Sequence, residues 1–168
     1  MGVYSVWLML EKDSRSSYRD LIIKLSKKLK TPSFDPHCTL YGRLDLDIDQ
    51  IRPTVIDLVR KKNQFSTNVK RLKTGKTKWK SLYLALDNNE DLEYLYNECK
   101  NKFGSLRKYA FDPHLSIAYG IFDPESIHYA TKNIIIPEYL AFSAIAIVKT
   151  GENIRDWEVV FQRQFESG

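Results

Sequence analysis

The sequence lacks the features that mark membrane-spanning, secreted and disulfide-rich proteins. Its 168 residues include only two cysteines, Cys38 and Cys99, which lie far apart and form no CxxC pair. A disulfide framework or a zinc ribbon is therefore not expected. No apolar run approaches the roughly 18 residues of a membrane span. The first residues show no basic segment followed by an apolar stretch, so no signal peptide is predicted. We expect a cytoplasmic protein that does not enter a membrane.

The composition is that of an ordinary folded protein, with 43% hydrophobic and 28% charged residues. No linker rich in proline, glycine or serine divides the chain, and its length suits one compact domain. The net charge of +5 fits a protein that handles anions, from nucleotides to RNA, but it also fits many proteins that do not. We expect a monomer.

Apolar periodicity predicts seven strands and four helices. Five of the strands are expected at residues 3–10, 65–72, 79–86, 140–150 and 157–165, and the helices at residues 14–30, 48–62, 89–103 and 124–132. The other two strands lie in a repeated segment. Pro53 suggests that the regular part of the second helix begins near it, because proline is tolerated in a first turn. The order β-α-β-α-β-β-α-β-α-β-β indicates an α+β fold with internal duplication: residues 1–168 as a single domain of two pseudo-symmetric lobes.

The repeated segments are FDPHCTLYG at residues 34–42 and FDPHLSIAYG at residues 111–120. Side chains alternate between the two faces of a strand. One face is therefore expected to carry Asp35, His37, Thr39 and Tyr41 in the first copy, and Asp112, His114 and Ser116 in the second. The intervening residues are apolar and are expected to pack in the core.

The two copies differ by one residue after the hydroxyl position. The histidines are 77 residues apart, but the Tyr-Gly pairs are 78 apart because Ala118 is extra. In a regular strand this shift turns Tyr119 to the face opposite His114, although a bulge or strand end would turn it back.

Packing explains repeated apolar residues and glycines, but it does not require the same polar triplet twice. Two histidines brought together by pseudo-symmetry can act as general base and general acid, each contributing on the order of 10² to 10⁴ in rate. The hydroxyls of Thr39 and Ser116 can donate hydrogen bonds to an anion held between the strands. A phosphate suits such a pair of donors.

His-x-Thr and His-x-Ser, one in each half of the chain, resemble the signature of the two-histidine (2H) phosphoesterase superfamily. The segments VYSVW, PHCTLYG, NECKNKFG, PHLSIAYG and VKTGENIRDWEVV resemble its cyclic phosphodiesterase branch, in nearly the right order and spacing. This resemblance covers most of the chain. It implies a two-lobed fold in which antiparallel sheets line a central cleft and the helices lie outside.

The resemblance also implies a set of site residues. His37 and His114 would be catalytic, Thr39 and Ser116 would bind the phosphate, and Trp7 and Tyr119 would contact the substrate. Members of this branch open nucleoside 2′,3′-cyclic phosphates or ADP-ribose 1″,2″-cyclic phosphate to monoesters without a metal or other cofactor. We favour His114 as the base and His37 as the acid. Ser116 in place of threonine keeps the hydroxyl and loses only a methyl group.

A metal site is the alternative to metal-free catalysis by the two histidines. Asp35, His37, Asp112 and His114 would supply two carboxylates and two imidazoles on the expected polar faces. Against it, both aspartates precede proline, and the motif supplies hydroxyls where a metal site would want further ligands. We therefore assign no metal. The aspartates are expected to cap turns or to orient neighbouring groups.

The segment VKRLKTGKTKWK carries six positive charges between Lys70 and Lys80. We interpret it first as a solvated hairpin whose lysines protect a strand edge. Its other interpretation is a track for RNA or an oligonucleotide, with Trp79 available for stacking on a base. Tyr41, Lys76 and Trp79 are the further candidates for substrate contact. The alternatives to a small cyclic phosphate are thus RNA ends, 2′,5′-linked or cyclic oligonucleotides, and a non-catalytic RNA-binding module.

Overall fold

The computed structural model describes residues 2–166. The strands are β1 (Gly2–Leu10), β2 (His37–Leu46), β3 (Phe65–Thr77), β4 (Lys80–Leu86), β5 (His114–Ala118), β6 (Tyr139–Lys149) and β7 (Glu158–Gln164); the helices are α1 (Lys12–Leu29), α2 (Ile48–Lys61), α3 (Glu90–Phe103) and α4 (Pro124–Thr131), with a short 3₁₀ helix at Ile154–Asp156. The expected α+β class and order of elements are confirmed. The repeated strands begin at the histidines themselves, so Phe-Asp-Pro precedes each strand.

Seven antiparallel strands form one sheet in the order β2-β1-β6-β3-β4-β5, and β7 pairs with β6. The two strands that carry the repeated motif, β2 and β5, occupy opposite ends of this order. They nevertheless contact each other, so the sheet curls until its two ends meet. This curl brings the two copies of the motif into one place.

The helices cover the sheet from the side opposite the motif histidines. α1 contacts β5 and α4, whereas α3 contacts β2 and α2. Each motif strand is therefore backed by a helix from the other half of the chain. The core between helices and sheet is continuous and includes buried residues of β1, β2, β4, β5 and β6, together with α1, α2, α3 and α4.

The second helix begins where its apolar periodicity predicts, and it is regular from its first residue. α2 starts at Ile48, where Asp47 and Gln50 form a capping box, and Pro53 lies inside the helix. The expectation that Pro53 marks its start is wrong. A capping box satisfies two free backbone N–H groups at the first turn, and this stabilises a start five residues before the proline.

One extra residue interrupts each motif strand at the corresponding place. On β2, Trp7 of β1 pairs with Thr39 and Val6 pairs with Tyr41, so Leu40 is a β-bulge. On β5, Tyr83 of β4 pairs with Ser116 and Leu82 pairs with Ala118, so Ile117 is the corresponding bulge. A bulge of this kind reverses the alternation of side chains that follows it. Both strands therefore change phase directly after their hydroxyl residue.

The bulges exchange the expected positions of the two tyrosines. Tyr41 is fully buried in the core on the helix side of the sheet, and so are Ile117 and Ala118. Tyr119 instead lies in the cleft beside the histidines. The expectation that Tyr41 shares a face with His37 is wrong, whereas the bulge considered for Tyr119 is present.

Within residues 2–166, no helix is both long enough and apolar enough to cross a lipid bilayer.

Candidate active site

The two copies of the motif line a single cleft with a volume of about 400 Å³. His37 and Thr39 contribute to its wall from β2, and His114 contributes from β5. Each motif strand pairs with a neighbour that places an aromatic side chain beside the histidine. On one side Trp7 lies opposite Thr39, and on the other Tyr83 lies opposite Ser116. The geometry thus repeats, with different aromatic residues.

His37 is held tightly on the floor of the cleft. It is only 3% exposed, and Trp7 stacks on its ring with a centroid separation of 3.4 Å and an interplanar angle of 5°. Its Nδ1 lies 2.6 Å from the backbone carbonyl oxygen of Asp35. A carbonyl can only accept, so Nδ1 carries the proton and Nε2 keeps its lone pair. Burial lowers the pKa of His37 to about 4.

His114 has the same backbone anchor in a more open setting. Its Nδ1 lies 2.7 Å from the carbonyl oxygen of Asp112, so its Nε2 is also the free nitrogen. The ring of Tyr83 meets it edge-on at 5.3 Å between centroids. Partial burial lowers the pKa of His114 as well, and the positive charge of Lys80 acts in the same direction. Both histidines are therefore neutral near pH 7 in the free protein.

The carboxylates of the two motif aspartates point away from the histidines and towards cations. Asp35 binds the guanidinium groups of Arg15 at 3.2 Å and Arg19 at 2.6 Å. Burial alone would raise the pKa of Asp35, but these two arginines hold it below its ordinary value. Asp112 accepts a hydrogen bond from Lys80, which lowers the pKa of Asp112. It is the backbone of each aspartate, not its carboxylate, that orients the histidine.

These ion pairs bear on the metal alternative. Both carboxylates that it would require are engaged by arginine or lysine. Across the described part of the chain, no group of three or more His, Cys, Asp and Glu side chains is arranged to hold a metal ion.

The two hydroxyl residues differ in their surroundings. Thr39 lines the cleft and is partly exposed. Ser116 is 3% exposed, and its Oγ has no partner in hydrogen-bonding geometry. The phenol of Tyr119 lies near it: burial raises the pKa of Tyr119 to about 12, an effect that the Ser116 hydroxyl partly opposes. The Tyr119 phenol is thus the polar group beside Ser116 Oγ, but the two do not form a hydrogen bond of good geometry, and a buried hydroxyl without one is costly.

Aromatic rings cover one end of the cleft. Trp157 meets the rings of Trp7 and Tyr119 edge-on, with 5.5 Å and 5.6 Å between ring centroids. It stacks on the ring of Trp79 with a centroid separation of 5.9 Å. Trp79 comes from the turn between β3 and β4, and the ammonium group of Lys78 lies 4.7 Å from the centroid of its indole. Such a surface is suited to stacking on a planar base.

The sequence-based candidates thus fall into two groups. Six candidates line the cleft: His37, His114, Thr39, Trp7, Tyr119 and Trp79. Ser116 is not part of this lining and is buried next to Tyr119. Two candidates lie elsewhere. Tyr41 is buried and donates its hydroxyl to the backbone of Arg107, and Lys76 is exposed outside the cleft.

The structure also places residues near the histidines or elsewhere along the cleft that were not expected from the sequence, among them Tyr83, Tyr109, Trp157 and Arg43. Tyr83 lies one strand away from its histidine, and β4 pairing alone brings it there. Tyr109 fills the space next to Gly42, the position that corresponds to Tyr119 in the other copy. Trp157 belongs to the segment VKTGENIRDWEVV, which resembles the cyclic phosphodiesterase branch. Its distance along the chain from the two motifs does not predict that it lines the same cleft.

Comparisons with known proteins identify the family and the fold of this chain. A family model described as cyclic phosphodiesterase-like protein matches residues 1–165. A cyclic phosphodiesterase of Arabidopsis thaliana is 26% identical over 117 residues, which make up 70% of this chain. The alignment spans 65% of the length of that relative.

Solved structures share the fold at low sequence identity. E. coli LigT complexed with 3′-AMP is 12% identical, with a TM-score of 0.64 and 99% of each chain covered. TT0787 of Thermus thermophilus is also 12% identical, with a TM-score of 0.66 and 97% of each chain covered.

Proposed function

Because this chain belongs to the family of cyclic phosphodiesterase-like proteins, we propose that it hydrolyses a cyclic phosphate to a phosphomonoester by two-histidine acid–base catalysis. The substrates considered are a nucleoside 2′,3′-cyclic phosphate and ADP-ribose 1″,2″-cyclic phosphate. One observation carries the proposal: both histidines line the same cleft, and each is fixed by a backbone carbonyl on Nδ1 with Nε2 free. Each lobe contributes one half of the site.

The reaction needs one proton to be removed and one to be supplied. One Nε2 accepts a proton from water, whose oxygen forms a new bond to phosphorus. The bond from phosphorus to one ribose oxygen breaks, and the other histidine, as imidazolium, gives that oxygen its proton. The negative charge of the bound substrate raises the pKa of both rings. It thereby supplies the protonated partner that the free protein lacks near pH 7.

The two histidines are not interchangeable as base and acid. His37 is the more deeply buried ring, with a pKa lowered to about 4, and it is neutral over the whole physiological range. This favours His37 as the base and His114 as the acid. The order favoured from the sequence is the reverse, and the regiochemistry of the product decides between the two.

Thr39 and Ser116 are the proposed donors to the non-bridging phosphate oxygens. The unpartnered Oγ of Ser116 supports this role, because an incoming phosphate oxygen would satisfy a donor that burial leaves unused. The aspartates are engaged elsewhere, so no carboxylate of the motif competes for the anion. Trp7 and Tyr119 would contact the remainder of the nucleotide. E. coli LigT, which shares the fold, has been solved with 3′-AMP, and this supports a small nucleotide as the substrate class.

An oligonucleotide or RNA end is the second candidate substrate. It is favoured by the place of Trp79, which lines the cleft and has Lys78 over its ring. The hairpin would then lead a phosphate backbone towards the histidines. A monomeric state and a cytoplasmic location stay predictions.

The direct test is turnover in excess EDTA with nucleoside 2′,3′-cyclic phosphates, ADP-ribose cyclic phosphate, and 2′,5′-linked and cyclic oligonucleotides. We expect activity that resists chelation and falls on the order of 10² or more in His37→Ala and in His114→Ala. His128→Ala is the matched control, because the third histidine is on α4 outside the cleft.

Retained turnover in both cleft variants would contradict the two-histidine mechanism. Loss of all activity on chelation would contradict the metal-free reaction. Tight, salt-dependent RNA binding without any product would favour the binding module instead.

A further inference from the structure

The cleft extends beyond the histidines to a polar end that the proposed reaction does not use. Arg43, Ser5 and Thr150 line this end, on the same wall as Thr39. Thr39 and Arg43 are four residues apart, at most about 13 Å along the strand at ~3.3 Å per residue, and the bulge at Leu40 shortens that span. The arginine side chain is itself several ångströms long, and it lines the same cleft. A substrate held at the proposed phosphate site would therefore need a span on the order of one sugar unit to reach the guanidinium.

The backbone at Arg43 is unusual for its residue type. Its φ of 58° lies in the left-handed region, which is sterically unfavourable for a residue with a Cβ atom. The N–H of Arg43 is 3.2 Å from Ser5 Oγ, and that hydroxyl is 3.1 Å from Thr150 Oγ1. β2 has a second bulge here, because Tyr4 of β1 pairs with Leu44 whereas Val6 pairs with Tyr41. The hydrogen bonds of Arg43 and Ser5 hold this bulge in place. The side chain is thus presented on a rigid base.

The second copy of the motif has a glycine at the corresponding position. If the bulges are aligned, Tyr119 corresponds to Gly42 and Gly120 to Arg43. Gly120 also has a positive φ, of 151°. Glycine adopts such a backbone without steric cost, so the first copy places an arginine where the backbone would favour glycine. An energetically unfavourable backbone that is kept at a cleft favours a functional role for the side chain it carries.

The guanidinium group of Arg43 is also free to bind a ligand. Within residues 2–166 it forms no hydrogen bond, ion pair or ring contact. The carboxylate of Glu152 lines the same end of the cleft and opposes an anion there, but the two side chains are not paired. A planar guanidinium with all of its donors unused suits the oxygens of a phosphate.

We propose that Arg43 binds a second phosphoryl group of the substrate, so that the preferred substrate is a cyclic phosphate with another phosphate one ribose away. The proposal rests on the proposed function for the identity of the first phosphate. The two copies of the motif then differ in purpose. The copy with Tyr119 offers an aromatic surface, and the copy with Arg43 offers a cation. This polarity orients an asymmetric substrate in a pseudo-symmetric cleft.

The kinetic experiment compares adenosine 2′,3′-cyclic phosphate with the same compound carrying a 5′-phosphate. We expect the wild type to show the higher kcat/KM with the phosphorylated compound, and Arg43→Gln to lower it on the order of tenfold or more, through KM. The kcat/KM for the unphosphorylated compound should change less than about twofold. Arg163→Gln, on β7 outside the cleft, controls for the lost charge, and Arg43→Lys should restore part of the preference.

Arg43→Gly separates recognition from folding. It should melt at the same temperature as the wild type or higher, because glycine relieves the positive φ, and yet lose the preference for the second phosphate. Glu152→Gln should strengthen that preference. A cyclic-phosphate dinucleotide and ADP-ribose cyclic phosphate then show whether an internal phosphodiester or a diphosphate serves better than a terminal phosphate.

A binding experiment makes the result independent of turnover. Calorimetry with adenosine 2′-monophosphate and adenosine 2′,5′-bisphosphate should show tighter binding of the bisphosphate, and Arg43→Gln should abolish the difference. Equal affinities of the wild type for the two ligands, or a difference that survives Arg43→Gln, would overturn the subsite. Failure of every cyclic phosphate to react, with the binding preference intact, would instead count against the proposed function.

Discussion

The indole of Trp7 lies parallel to the imidazole of His37, with 3.4 Å between ring centroids and 5° between planes. This contact closes one entire face of the histidine to water. It explains much of the burial that lowers the pKa of His37 to about 4, because desolvation disfavours the charged ring.

Trp7→Ala should therefore raise the pKa of His37 towards the ordinary value of about 6.5. An NMR titration of the imidazole resonances measures this directly, with His114→Ala and His128→Ala used for assignment. Trp157→Ala is the control, since Trp157 meets His37 only edge-on at 6.2 Å. An unchanged His37 pKa in a folded Trp7→Ala protein would show that the stacked ring is not the source of the shift.

His37 should also make the stability of the protein depend on pH. Its pKa is about 4 in the folded protein and about 6.5 when unfolded. Between these values the unfolded chain binds a proton that the folded chain does not. The free energy of unfolding should therefore fall as the pH drops from 6.5 towards 4, by up to about 3 kcal/mol from this residue.

Denaturant unfolding of the wild type and His37→Gln across this pH range tests the prediction. Other groups titrate in both proteins, so the difference in slope isolates His37. The variant should lose less stability on acidification than the wild type, while His128→Gln should follow the wild type. Parallel curves for wild type and His37→Gln would rule out a neutral, buried His37.

Lys80 should set the pH range in which His114 works. Its ammonium group binds Asp112 and lowers the pKa of His114 by charge repulsion. Lys80→Ala removes a positive charge and frees a negative one beside the ring, and both changes raise the pKa of His114. The limb of the kcat/KM profile that reports His114 should move to higher pH.

Lys80→Arg keeps the charge and should leave that limb in place. A Lys80→Ala enzyme that is slower at every pH, with an unshifted profile, would mean that Lys80 affects structure rather than the proton affinity of His114.

Ser116→Ala should have opposite effects on activity and stability. Its hydroxyl is buried and unpartnered, so its removal should leave the free energy of unfolding unchanged or raise it by up to about 1 kcal/mol. If the hydroxyl is a donor to the phosphate, turnover should fall on the order of 10² to 10³. Thermal unfolding and steady-state kinetics on the same samples give both values.

Ser116→Thr keeps the hydroxyl and should retain much of the activity, provided that the added methyl fits. A Ser116→Ala protein with wild-type turnover would remove Ser116 from the phosphate site.

The part of the site that the sequence predicts best lies ahead of the two bulges. Up to Thr39 and Ser116 the strands are regular, and alternation of side chains puts the histidine and the hydroxyl on one face. Beyond that point Leu40 and Ile117 each add a residue, and alternation fails in both copies. The same failure sent Tyr41 to the core and Tyr119 to the cleft. Nothing in the local pattern of hydrophobic residues distinguishes a bulge from a regular strand.

Local sequence patterns do not predict which residues reach the cleft from outside the regular part of the motif strands. Trp157 follows a 3₁₀ helix, and Arg43 lies on a bulge where its backbone N–H donates a hydrogen bond to Ser5 Oγ. Their places depend on which strands pair and in what register. Pro53 illustrates the same limit in a helix, because the capping box upstream of it outweighed the local preference of proline for a first turn.

The packing of the helices determines how local unfolding disrupts the site. α1 is buried against the strand of His114, and α3 against the strand of His37. Local opening of either helix therefore removes the packing behind the motif strand from the other half of the chain. Neither half can keep a working histidine by itself, so amide protons on β2 and β5 should exchange with solvent together, in one cooperative unit. A chain cut between α2 and β3 should bring both histidines into one cleft only when its two fragments reassociate.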